Sequence, residues 1–190
     1  MKNTRALLIL AALGGVPGPA LAQKTYVAAV GDSNVTGFLV SRAYAYPEVL
    51  EDMLRAAGLD AHVKNSGVNG DTTAGMLERL DRAVPKGTKL AIVQGGYNDL
   101  RKGSTVKKVA ANMEAILARL KARDVRVVLC GFFDEPWGPM ARRHGATLVP
   151  STWCYDESYA GFDGVHMSAE GHRVVAARLF PVVQKLLAGP

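Results

Sequence analysis

Tyr26-Val27-Ala28-Ala29-Val30, followed at once by Gly31-Asp32-Ser33-Asn34-Val35-Thr36-Gly37, is the stretch that decides the fold. A short apolar run bounded by glycine reads as a buried strand, and the Gly-Asp-Ser turn sets a hydroxyl just beyond its carboxyl end. Working outward, the same alternation of short apolar runs and longer amphipathic stretches fills the chain. It predicts strands over 25–31, 60–65, 88–94, 125–130 and 146–149, and helices over 46–58, 72–84, 105–123 and 168–187. Val49, Leu50, Met53, Leu54 and Ala57 recur at helical spacing, as do Val109, Met113, Ile116, Leu117 and Leu120, which makes these core faces. Ser168 is the expected N-cap of the last helix, with Glu170 in its first turn. Such alternation argues for an α/β protein, a three-layer α/β/α sandwich around a five-stranded parallel sheet.

Ligands of open parallel sheets bind beyond the carboxyl ends of the strands, and the polar blocks of this chain fall there. A serine hydroxyl is a weak nucleophile until an imidazole takes its proton, and the imidazole needs a carboxylate to hold its tautomer. Ser33, His166 and Asp163, the latter two within Asp163-Gly164-Val165-His166, supply those groups. Asn98, in Gly95-Gly96-Tyr97-Asn98-Asp99 after the run Lys89-Leu90-Ala91-Ile92-Val93, carries an amide able to donate to an oxyanion. Gly70, in Asn65-Ser66-Gly67-Val68-Asn69-Gly70-Asp71-Thr72, leaves a backbone N–H open at the start of a helix.

Ser33, Gly70, Asn98 and His166, in that order, resemble the four blocks of the SGNH (GDSL-like) hydrolase superfamily, across residues 31–166. Tyr46-Pro47-Glu48-Val49-Leu50 and the Gly70 and Asn98 blocks look most like its branch of bacterial arylesterases, acyl-CoA thioesterases and lysophospholipases. The resemblance implies a flavodoxin-like fold and hydrolysis of carboxylic esters or thioesters without metal or organic cofactor. It also implies Ser33 as nucleophile, His166 as base and Asp163 as its orienter. The oxyanion hole would comprise the N–H groups of Ser33 and Gly70 and the side chain of Asn98. Asp32 is expected to hydrogen-bond the turn.

Two departures bear on substrate. Position 34 is Asn where the family motif usually has Leu. The stretch between Cys130-Gly131-Phe132-Phe133 and Ala146-Thr147-Leu148-Val149 reads as too short for the helix that normally intervenes there. The expectation is an open cleft and a preference for short acyl groups. An O-acetyl carbohydrate deacetylase uses the same blocks, and a catalytically weak carbohydrate-binding module would keep the fold and use exposed aromatics; Trp137, Trp153, Tyr155 and Tyr159 read equally as cleft lining and as half-buried packing.

Residues 1–22 read as a cleaved export signal: Lys2 and Arg5, an apolar segment from Ala6 to Val16, then Ala20-Leu21-Ala22. Residues 23–190 then form one hydrolase domain, periplasmic or secreted, with no stable membrane anchor. The net charge of +6 falls to +4 once Lys2 and Arg5 are set aside. The remaining cations are dispersed, with no basic stripe for nucleic acid. The expected partner is a small-molecule, lipid or carbohydrate ester, met by a monomer. Cys130 and Cys154 are the only cysteines. Both fall at the carboxyl end of the sheet, which permits a disulfide. His62 in a strand, His144 in a basic loop and His172 in the last helix show no metal-ligand spacing. Asp134 and Glu135 read as solvated loop residues.

Overall fold

A computed structural model describes residues 24–131 and 137–189. Its strands are β1 (Thr25–Gly31), β2 (Ala61–Gly67), β3 (Thr88–Val93), β4 (Arg126–Cys130) and β5 (Thr147–Val149). They form one sheet in the order β2-β1-β3-β4-β5, every neighbouring pair parallel. The helices are α1 (Ser33–Thr36), α2 (Tyr46–Ala56), α3 (Thr73–Glu78), α4 (Leu80–Ala83), α5 (Tyr97–Arg101), α6 (Val106–Ala122), α7 (Trp137–His144) and α8 (Ala169–Ala188).

Successive side chains of a strand point to opposite faces, so a strand buried on both sides must be apolar throughout. Val27 and Ala29 of β1, with Leu90 and Ile92 of β3, join Leu50 and Leu54 of α2 and Val175 and Leu179 of α8 in one core. Ala28 and Val30, with Ala91 and Val93, face the other way, onto Met76 of α3, Leu80 of α4 and the Val109–Met113–Ile116–Leu117–Leu120 face of α6. The expected three-layer sandwich is present.

Four local expectations change. The helix predicted over 72–84 is interrupted at Arg79, which ends α3 and precedes α4. The Arg79 guanidinium donates to the carbonyls of Ser66 and Gly31 and to the Asp71 carboxylate, so it ties the carboxyl ends of β2 and β1 together. The stretch between β4 and β5 does hold a helix, α7, contrary to the short-loop reading, and His144 ends this helix instead of lying in a loop. Gly138 and Pro139 disguise it. Pro139 is its third residue, where a backbone N–H has no intrahelical partner, so the ring costs nothing there. Trp137, Met140 and Ala141 form its buried face against the α6 side, and Arg143 and His144 both contact Glu114 of α6. Trp137 is thus a core residue, only 1% exposed, and no part of a ligand cleft. The segment 132–136, with Asp134 and Glu135, and the leader-like residues 1–22 lie outside the described residues.

α2 and α8 meet at a polar point inside the first core. The Tyr46 backbone N–H donates to His172 Nδ1 at 3.3 Å, and the two rings stack. Burial pushes the His172 imidazole down from 6.5 to about 4, so the native state holds it neutral where the unfolded chain would protonate it. The stability from keeping this ring neutral is complete above pH 6.5 and is lost as pH falls toward about 4, by up to about 3 kcal/mol. His172→Gln keeps an acceptor for Tyr46 and does not titrate. Denaturant midpoints at pH 7 and pH 4.5 are expected to differ less in this variant than in the parent protein.

Candidate active site

The sheet order places β1 and β3 side by side, with the connections leaving them in opposite directions, so a crevice opens between their carboxyl ends. β1 ends at Gly31, packed so tightly that a Cβ there would lie 2.5 Å from Val35 Cγ2 and 2.6 Å from the Gln94 carbonyl oxygen. Only glycine lets the chain turn directly into α1. Asp32 caps that helix by accepting the Asn34 N–H at 3.0 Å, as the turn reading required, and Ser33 is the first helical residue.

His166 comes from the loop before α8. Its Nε2 lies 3.0 Å from Ser33 Oγ and its Nδ1 lies 2.6 Å from Asp163 Oδ2. Asp163 also accepts the N–H groups of Val165 and His166 through Oδ1. These bonds, led by the His166 side chain, hold the carboxyl down at about 2. An ionised Asp163 accepts a hydrogen bond from Nδ1–H, which leaves the Nε2 lone pair for the Ser33 hydroxyl. The loop itself is fixed by a bridge between Ala160 and Met167 and by the Gly161 N–H on the His166 carbonyl. Two contacts that sequence reading missed add to this. The Phe38 ring meets the His166 imidazole edge-on at 4.8 Å, and Asn34 Oδ1 accepts the Met167 N–H at 3.5 Å.

Asn98 stands in α5, just after β3, with Nδ2 3.4 Å from Asp32 Oδ2. Burial raises the Asp32 carboxyl above its ordinary value. Next to Asn98, the buried Asp99 accepts both the N–H and the hydroxyl of Thr73, which clamps α5 to the start of α3. Gly70 lies in the exposed loop between β2 and α3 with φ 71, and its carbonyl accepts from Lys102 Nζ. Asn69 beside it accepts the Thr36 hydroxyl, linking this loop to α1.

A cavity of about 410 Å³ opens over these groups. Ser33, Asn98 and His166 line it, and Gly70 does not. Its wall also takes in Cys130 and Cys154, joined by a disulfide with Cα atoms 5.9 Å apart, and Tyr155. Trp153 packs on the core instead. Among the described residues, no group of three or more His, Cys, Asp or Glu side chains is arranged to hold a metal ion, and no helix is long and apolar enough to cross a membrane.

A serine, an imidazole and a carboxylate in series at the switch point of a parallel sheet are the arrangement of a serine ester hydrolase. The chain belongs to the GDSL-like Lipase/Acylhydrolase family, which it matches over residues 29–148. It is 26% identical to esterase TesA of Pseudomonas aeruginosa over 204 residues, covering 96% of this chain and 100% of that protein. An arylesterase of Vibrio mimicus is 30% identical over 101 residues, 53% of this chain and 50% of the other. Among solved structures, the SGNH-hydrolase family esterase AlinE4 superposes with a TM-score of 0.68 at 28% identity, covering 90% of this chain and 100% of that one.

Proposed function

We propose that Ser33 attacks the carbonyl of a carboxylic ester and carries the acyl group as a covalent intermediate. The observation that carries this reading is the continuous path from Asp163 through His166 to the Ser33 hydroxyl, with bonds of 2.6 and 3.0 Å. His166 Nε2 takes the serine proton as the Oγ–C bond forms, then returns it to the leaving alcohol. The tetrahedral oxyanion is met by the Ser33 N–H and by Asn98, with Gly70 supplying the third donor. Water, deprotonated by the same imidazole, releases the acid. Asp163, held down at about 2, stays charged at neutral pH and keeps its hydrogen bond from the imidazole through the cycle.

Short acyl groups remain the preferred substrates in this reading, on a different ground from an absent helix. The cavity surface is more apolar than polar, but Gln94, Arg101, Ser151, Thr152, Asp156 and Glu157 all stand in its lining. A long alkyl chain would strip water from them without replacing its hydrogen bonds. Each buried methylene is worth about 0.8 kcal/mol in an apolar groove, so an enzyme with such a groove gains rate steeply with chain length. Here kcat/KM for p-nitrophenyl esters from C2 to C16 is expected to level off early. A maximum at C12 or longer would overturn the short-chain reading.

The leader-like residues 1–22 and the disulfide support an exported enzyme, with residues 23–190 as its single hydrolase domain. An organophosphorus probe tests the nucleophile itself. Labelling at Ser33 is the expected outcome, and a folded protein that takes no label is a binding module instead.

A further inference from the structure

Phe38, just beyond α1, touches both the nucleophile and the base. Its backbone N–H donates to the Ser33 carbonyl at 3.0 Å, and its ring meets the His166 imidazole with centroids 4.8 Å apart and planes at 63°. Core packing does not explain it: the side chain is 40% exposed and belongs to neither hydrophobic core. Phe38 does not line the catalytic cavity either, so its contact with the imidazole lies outside the space open to the substrate. The chain on both sides is bent to hold it there. Gly37 ends α1 at φ 75, where a Cβ would fall 2.5 Å from Ala45 Cβ, and Leu39 takes φ 70, a left-handed conformation costly for a bulky side chain. Such strain persists only where the surroundings impose it, and it gathers at functional sites.

The hydrogen bonds of His166, to Asp163 at Nδ1 and to Ser33 at Nε2, hold the imidazole at both ends only while Ser33 keeps its hydroxyl proton. Once an acyl group sits on Ser33, Oγ has no proton to donate and Nε2 loses that partner. One hydrogen bond remains, and the torsion about a histidine Cβ–Cγ bond is soft. Yet this is the stage at which Nε2 must take a proton from water as the water oxygen bonds to the acyl carbon. It then returns the proton to Ser33 Oγ as the Oγ–C bond breaks. We propose that Phe38 is a positioning residue for this second half of the reaction, its ring stopping the imidazole from swinging away while the acyl group occupies Ser33. This rests on the hydrolase reading above. The ring contact does not depend on the partner of Nε2, so it survives acylation. In the first half the serine hydroxyl itself orients the imidazole, and Phe38 adds little.

Stopped-flow hydrolysis of p-nitrophenyl acetate separates the two halves, because p-nitrophenolate leaves on acylation and acetate on deacylation. Phe38→Ala and Phe38→Leu are expected to lower kcat by roughly tenfold and KM with it, leaving kcat/KM within about twofold of the parent value. Each should release a burst close to one p-nitrophenolate per enzyme ahead of a slow steady rate. Phe38→Tyr keeps an aromatic ring at the position and should recover most of the lost turnover. A merely structural role would loosen Ser33 and His166 alike, so kcat/KM would fall as far as kcat and the burst would not grow; that result overturns the proposal. So does an unchanged kcat in both the alanine and the leucine variants. Leucine keeps apolar bulk and neither core loses a side chain, so the test does not hinge on the alanine variant folding. A parent enzyme that leaves p-nitrophenyl acetate intact would overturn the hydrolase reading instead, and this contact with it.

Discussion

Ser33→Ala and His166→Ala are each expected to lower kcat for a short p-nitrophenyl ester by on the order of 10⁴–10⁶-fold, and the double variant no further. The reason is that the hydroxyl and the imidazole act as one unit. Without His166, Ser33 keeps its proton; without Ser33, the proton acceptor 3.0 Å away has no nucleophile to activate. Neither side chain belongs to either hydrophobic core, so thermal unfolding should stay close to that of the parent protein. Additive losses in the double variant would mean that the two residues serve separate steps. Near-full turnover in either single variant would remove that residue from the mechanism.

The sheet and its two cores were legible because a strand buried on both faces has to be apolar without interruption. Val27 to Val30, Leu90 to Val93 and Val127 to Cys130 satisfy that condition. Ser33, Asn98 and His166 were legible for a related reason: the fold brings the carboxyl ends of β1 and β3 together, and these residues lie just past those ends or in the loop before α8. What could not be read is contact between residues far apart in sequence. Phe38 against His166 and Gln94 against Cys154 leave no periodic trace. α7 escaped because Gly138 and Pro139 signal a break, and only the position of the proline within the first turn makes it harmless. Arg79 is the reverse case. A continuous helical pattern runs through it, yet its guanidinium is taken by carbonyls of two other segments, and the helix divides there.

Asn98→Ala is expected to cut kcat by about 10²–10³-fold, roughly 2.7–4 kcal/mol of transition-state stabilisation, while KM moves little. Full negative charge on the substrate oxygen exists only as the tetrahedral intermediate forms, so a donor aimed at it acts on the chemical step and scarcely on substrate binding. Of the groups assigned to the oxyanion hole, Ser33 and Gly70 give backbone N–H groups, and Asn98 gives a side-chain amide from a residue that lines the cavity. The Asn98 amide is the one side-chain donor of the three. Its Nδ2 is 3.4 Å from Asp32 Oδ2, a position that orients the amide while leaving it a second N–H to donate. The α5 backbone is clamped through Asp99 and Thr73, so removal of the carboxamide should leave the helix in place and the effect local. Steady-state kinetics on a short p-nitrophenyl ester decide the matter. A raised KM with unchanged kcat would make Asn98 a ground-state binding residue and leave the oxyanion to backbone donors alone.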